Sequence, residues 1–184
     1  MSKVYYLAYG SNLNERQMKY RCPNATKVGT LVLDDYQLEF RLYLTVVPKK
    51  GAQVPIGVWL VDEYDEQRLD AYEGYPTFYR KEYIEIEVED KKEQALIYIM
   101  NDVRKVAPPS RQYMITCLEG YKDFGFDSKY LEEAPTDYVK TQTFTEYQNT
   151  VTSELAGKQA TIQNLATIEA GATAGSTAVQ PGDN

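Results

Sequence analysis

Along the first 140 residues the spacing of apolar side chains switches between a two-residue period and a three-to-four-residue period, and each switch marks an element. Residues 3–9, KVYYLAY, are apolar at successive positions from Val4 onward, which predicts a strand covered on both faces and central in its sheet. A Gly10-Ser11-Asn12 turn stops it. Residues 14–20, NERQMKY, read as a short helix with Asn14 as N-cap. Residues 27–47 hold two or more strands, with turn signals at Gly29 and Asp34-Asp35. PKKGAQ at 48–53 reads as a loop, and VPIGVWLV at 54–61 returns to strand. The period lengthens over 62–74, where charges fill one side and Leu69 and Tyr72 the other; Asp62 is the N-cap and Gly74 the stop. Residues 78–90 alternate again, as a half-exposed strand does, and 93–100 is expected to pair with it across a DKK turn. Prolines and Ser110 then open a helix over 110–123. Six or so strands with helices inserted at three places predict an α+β fold, built on a sheet or a closed barrel.

Near residue 140 the pattern fades. Residues 141–184 are rich in Thr and Ala and poor in charge, and from about 171 the run GATAGSTAVQPGDN has the composition of a disordered tail. Before it, Val151, Leu155, Lys158, Ile162, Leu165 and Glu169 form a short, interrupted heptad-like stripe. The stripe fits a weakly amphipathic helix folded back on the domain, or a docking segment for a homo-oligomer or a larger assembly. The expected organisation is thus one domain over 1–140 and a partly helical Thr/Ala-rich extension over 141–184.

Composition narrows the chemistry. A chain of 184 residues with 43% apolar and 26% charged positions supports one globular domain with its own core. No stretch is long enough to span a bilayer and the N-terminus lacks a secretory leader, so the expected location is cytoplasmic, off the membrane. A net charge of −7 with no long basic run argues against a nucleic-acid partner. The chain has no histidine, which removes histidine triads, bases and metal ligands together. Cys22 and Cys117 match no metal or redox spacing and are expected as small buried residues. Acid–base work near neutral pH therefore falls to a carboxylate, lysine, tyrosine or cysteine with a shifted pKa. The 17 tyrosines are ordinary half-buried sheet residues in the main, with some available to line a polar pocket.

Three segments carry candidate chemistry: AYGSNL at 8–13, LDAYEGYPTFYRK at 69–81 and APPSRQY at 107–113. A strand-to-helix turn of Gly, Ser and Asn gathers unpaired backbone N–H groups at one point, a cradle for an oxygen ligand. Glu73 falls in the last turn of its helix, where the macrodipole disfavours negative charge, and is flanked by Tyr72 and Gly74-Tyr75-Pro76. A glutamate at a helix end is ordinarily solvated. Burial among tyrosines would instead raise its pKa and make it a base usable near neutrality.

In this order and spacing the segments resemble the γ-glutamylcyclotransferase family, the AIG2-like or BtrG-like fold. The resemblance rests on Tyr9-Gly10-Ser11-Asn12, Gly57-Val58-Trp59, Glu73-Gly74 and Pro108-Pro109-Ser110 with Tyr113, and it spans about residues 4 to 138. It implies a compact mixed β-barrel with inserted helices and a cavity at one end, with no cofactor and no metal. It also implies a cofactor-independent enzyme of the acyltransferase/lyase type. The α-amine of a small-molecule γ-glutamyl substrate attacks its own γ-carbonyl, giving 5-oxoproline and a free amino acid or amine, chemistry that belongs with glutathione metabolism. By the same resemblance Glu73 is the general acid/base, and the loop of Tyr9, Gly10, Ser11, Asn12 and Leu13 holds the glutamyl group. Tyr79 and Tyr113 line the pocket. Asn12 after Tyr-Gly-Ser is similar to relatives that act on γ-glutamyl amino acids.

Two other readings use the same residues. The fold could be a scaffold docked through 141–184 with little or no catalysis. Or it could be a binder of a small amino-acid-like ligand, with Glu73 salt-bridged to a neighbour such as Arg80 and its pKa lowered. A Glu73 exposed and far from the Gly10–Leu13 loop would exclude the enzyme.

Overall fold

A computed structural model describes residues 2–101 and 104–135, together with positions 149, 153 and 157. The chain divides between Lys140 and Thr141, and the fold described is that of the first unit. The stripe at 151–169 and the low-complexity run lie, but for positions 153 and 157, outside the described residues.

The fold is α+β, with one five-stranded mixed sheet and short helices. Its strands are β1 (Lys3–Ala8), β2 (Thr26–Arg41), β3 (Tyr43–Asp62), β4 (Tyr79–Val88) and β5 (Lys91–Met100), in the order β2-β3-β1-β5-β4. The strand apolar at successive positions is indeed central. β1 runs antiparallel to β3 and parallel to β5, with Tyr6, Leu7 and Ala8 buried. β5 is likewise buried from Ala95 to Met100, because a strand paired on both edges and covered on both faces has no solvated side. β4, at an edge, keeps the alternating exposure its sequence shows.

Strand boundaries differ from the expectation in two places. Residues 48–53 do not separate two strands, since β3 runs through them. The β2–β3 ladder passes from Asp34↔Gln53 to Tyr36↔Pro48, so Asp35 on one side and 49–52 on the other bulge out without pairing. Gly51 and Asp35, both at positive φ, are tied there by Gly51 N donating to Asp35 Oδ1 at 2.7 Å. The turn chemistry is real, but the pairing resumes beyond it. The β4–β5 connection is Glu89-Asp90 and not DKK; both residues have positive φ, as a two-residue hairpin turn demands.

The helices are α1 (Glu15–Arg21), α2 (Glu63–Glu73), α3 (Arg111–Asp123) and the single-turn α4 (Lys129–Glu132). Their caps follow local chemistry. Asn14 accepts from Gln17 N, Asp62 from Asp65 N and Ser110 from Tyr113 N, while Gly74 ends α2 at φ 64°. Leu69 is fully buried as expected, whereas Tyr72 is half-exposed. Cys22 and Cys117 are both buried and unbridged. Among the described residues no helix is long and apolar enough to cross a membrane.

Candidate active site

The turn after β1 is a short 3₁₀ element, Ser11–Leu13, and three neighbours fix its position. From β3, Trp59 Nε1 donates to the Asn12 carbonyl at 3.0 Å. Two residues earlier Gly57 leaves room for Leu13, since a Cβ there would lie 2.5 Å from Leu13 Cδ2. From α3, Gly120 lets the helix approach the turn so closely that a Cβ would lie 2.6 Å from Asn14 N. The head of the turn leaves its first N–H groups, those of Ser11 and Asn12, without a partner inside it.

Glu73, the last residue of α2, comes to this turn from 61 residues away: Asn12 Nδ2 donates to Glu73 Oε1 at 2.7 Å. The same Nδ2 donates to the Tyr6 hydroxyl at 2.8 Å, and Asn12 Oδ1 accepts from Arg21 at 2.6 Å. Ser11 Oγ lies 3.1 Å from the Tyr72 hydroxyl, and the Arg21 guanidinium stacks 3.6 Å from the centre of the Tyr72 ring. Beyond Glu73, Gly74 O accepts from Phe78 N, and Asn101 Nδ2 donates to the carbonyls of Pro76 and Thr77.

Glu73 stands at the wall of a cavity of about 300 Å³. Its lining is dominated by tyrosines, with Tyr6, Tyr9, Tyr79, Tyr98 and Tyr113 beside the Gly10–Asn12 backbone. Burial pushes the Glu73 carboxyl up from 4.5 to about 7, against the opposing pull of the Arg21 charge and the Asn12 hydrogen bond. The tyrosine hydroxyls are pushed up as well, chiefly by burial, and stay protonated. The site can therefore offer a carboxylate that takes up and releases a proton near neutrality, amid neutral hydroxyl groups and backbone donors. Among the described residues no group of three or more Asp, Glu or Cys side chains is arranged to hold a metal ion.

The predicted site residues gather here with one exception. Tyr9, Gly10, Ser11, Asn12, Glu73, Tyr79 and Tyr113 all line the cavity. Leu13 does not. It is fully buried against Gly57 and Gly120, supporting the turn from beneath because an apolar side chain in a core-facing 3₁₀ turn packs inward. All three predicted tyrosines turn their hydroxyls to backbone, Tyr9 donating to Tyr98 O at 2.6 Å. Tyr79 donates to Leu44 O at 2.8 Å, and the Tyr113 hydroxyl accepts from Leu44 N at 3.1 Å. Arg80 pairs with Glu82 and with the Met100 carbonyl, not with Glu73. Sequence reasoning missed Arg21, Tyr6 and Tyr98, for which no spacing gave a signal.

The family model described as "Gamma-glutamyl cyclotransferase, AIG2-like" matches residues 6–116. The chain belongs to this family. It is an enzyme of the γ-glutamylcyclotransferase family by sequence and by fold. The human gamma-glutamylcyclotransferase is 29% identical over 155 residues, covering 73% of this chain and 80% of the relative. The mouse gamma-glutamylcyclotransferase is 28% identical over 145 residues, covering 70% and 75%. A solved gamma-glutamyl cyclotransferase shares the fold at a TM-score of 0.64 and 24% identity, over 83% of this chain and 99% of its own. The matched segment contains the turn, α2 with Glu73, and the start of α3.

Proposed function

We propose that the protein cyclises a γ-glutamyl amino acid or γ-glutamylamine to 5-oxoproline and releases the amino acid or amine, with Glu73 as general acid/base. The observation that carries the reading is the Glu73 carboxyl at the cavity wall, bound through one oxygen to Asn12 and poised to titrate at about pH 7. The relatives named gamma-glutamylcyclotransferase support the general reaction. The Tyr9-Gly10-Ser11-Asn12 turn favours γ-glutamyl amino acids as substrates.

The reaction is intramolecular, so holding the glutamyl chain folded over supplies much of what the step requires. Glu73 takes a proton from the α-ammonium. The freed nitrogen pair attacks the γ-carbonyl carbon, and the carbonyl π pair moves to oxygen. N–H groups at the head of the Ser11–Leu13 turn stabilise that oxyanion. Glu73 returns its proton to the amide nitrogen, and the carbonyl re-forms as the original C–N bond breaks. The ring nitrogen gives one of its own protons to the freed Glu73 carboxylate, which passes it to the departing amine. Two protons leave the α-ammonium and two arrive on the released amine. No co-reactant is consumed.

The test is 5-oxoproline release from γ-glutamyl-alanine, glutathione and a γ-glutamylamine, by the wild-type chain and by Glu73→Gln. Release that falls at least about a hundredfold in the variant supports the general-base role, and the best substrate names the subtype. A wild type silent across the panel overturns the reading. The scaffold alternative draws on the 141–184 extension, and nothing in the described residues favours it.

A further inference from the structure

Arg21 closes α1, yet its side chain points to the site and its backbone is tied to the helix that carries Glu73. Arg68, on α2, donates through Nε to the Arg21 carbonyl and through a terminal nitrogen to the Tyr20 carbonyl at 3.1 Å. One helix thus holds both the carboxylate and the anchor of the guanidinium. The guanidinium lies flat on Tyr72, 3.6 Å from the ring centre, and donates to Asn12 Oδ1 at 2.6 Å. A guanidinium has donors only, so the amide atom it meets must be oxygen. The nitrogen of the same amide is thereby turned to Glu73 Oε1 and the Tyr6 hydroxyl, at 2.7 and 2.8 Å. Cation, amide and carboxylate line up with the amide dipole head to tail between opposite charges.

We propose that Arg21 is a positioning residue for the cyclisation: it locks the Asn12 amide against rotation, so that Glu73 Oε1 is held and Oε2 is the oxygen that exchanges the proton. The proposal rests on the reading of Glu73 as general acid/base. Among the described residues Glu73 Oε2 meets no donor, which leaves it to the substrate ammonium. A reversed amide would set Oδ1 against the carboxylate and draw both oxygens out of register. Arg21 also sets when Glu73 is charged. The groups that face Glu73 are Arg21 from α1, Tyr6 and Tyr9 from β1 and its end, Tyr72 from α2, Tyr79 from β4 and Tyr113 from α3. The tyrosines are neutral near pH 7, so Arg21 is the charge acting on the carboxyl among the described residues.

The experiment compares wild type, Arg21→Lys and Arg21→Gln, alone and in an Asn12→Leu background. It reads kcat/KM against pH and follows the Glu73 carboxyl by ¹³C NMR titration, assigned with Glu73→Gln. Thermal melts identify variants that fold. Arg21→Gln removes the charge, so the Glu73 midpoint moves up by about one pH unit and the acid limb of kcat/KM moves with it. Arg21→Lys keeps the charge but not the fork; the midpoint stays near that of wild type while kcat falls by about tenfold. In the Asn12→Leu background the Lys substitution has little further effect, because both changes break one chain of contacts. If Arg21→Gln leaves midpoint and kcat/KM unchanged, or if the Arg21→Lys and Asn12→Leu losses multiply in full, the proposal is overturned. Should Glu73→Gln remain fully active, the reading of Glu73 fails and the positioning role falls with it; the NMR midpoint then still reports whether Arg21 governs the carboxyl. Arg21→Lys carries the test if Arg21→Gln does not fold.

Discussion

Asn12 Nδ2 and Glu73 Oε1 lie 2.7 Å apart although 61 residues separate them in sequence. The turn after the first strand and the last turn of α2 meet there, and both are fixed from outside. Trp59, Gly57 and Gly120 seat the first, while Gly74 and Asn101 shape the chain just beyond the second.

A carboxyl held at about 7 in the fold but titrating at 4.5 when exposed opposes folding once it is ionised. The folded-state pKa is raised, so the cost is absent below about pH 4.5, grows between 4.5 and 7, and is constant above. Glu73→Gln is therefore expected to melt at or above the wild-type temperature at pH 8, with the difference closing near pH 4. Melting curves across that range check the sign; a variant less stable than wild type at pH 8 contradicts it.

The wild-type acid limb of kcat/KM should bend at about pH 7, the Glu73 value in the free enzyme. A pH series with γ-glutamyl-alanine locates the bend. A limb bending near the ordinary carboxylate range would place the titrating group elsewhere.

Asn12 is 3% exposed and serves Tyr6, Glu73 and Arg21 at once. Asn12→Leu keeps the branched outline but not the polar atoms and takes a hydrogen-bond partner from Tyr6, Glu73 and Arg21, so we expect a loss of about 2–4 kcal/mol in urea unfolding. The Glu73 midpoint rises with it, because a hydrogen bond to the charged form is lost.

Tyr79 and Tyr113 contact the Leu44 backbone from either side, one hydroxyl donating to its carbonyl and the other accepting from its N–H. Tyr79→Phe and Tyr113→Phe should each cost about 1 kcal/mol of stability, by urea unfolding, with kcat changed less than KM. A hundredfold loss of kcat at constant KM would instead assign one of these hydroxyls to the reaction.

Gly120→Ala brings a Cβ to 2.6 Å from Asn14 N, a backbone atom that cannot swing aside. α3 must retreat from the turn, at a cost of about 1–3 kcal/mol, and activity should fall although Gly120 touches no part of the cavity. Unchanged activity would mean that the turn holds its shape without α3.

Much of the fold was legible along the chain. The caps at Asn14, Asp62 and Ser110, the left-handed stop at Gly74 and the apolar run of β1 from Val4 onward each act within a turn or a few residues, where one segment carries the whole cause. The alternation of β4 reported its edge position for the same reason. The turn residues and Glu73 could be singled out by type and by their unfavourable or punctuating positions. The span 48–53 shows the limit: its turn chemistry is local, but whether a strand ends there depends on pairing with β2 on both sides, and the ladder resumed.

Only the tertiary structure decided what those residues meet. That Arg21 grips the amide of Asn12, that Leu13 packs beneath the turn and that Tyr79 and Tyr113 bind Leu44 depend on how helices and strands seat on one another. Nor does a glutamate's identity set its pKa. The value of about 7 comes from burial beside one cation and one amide, brought together from three separate stretches of chain. Local propensity and period describe how each segment folds; contacts between distant side chains arise from packing, which no single segment encodes.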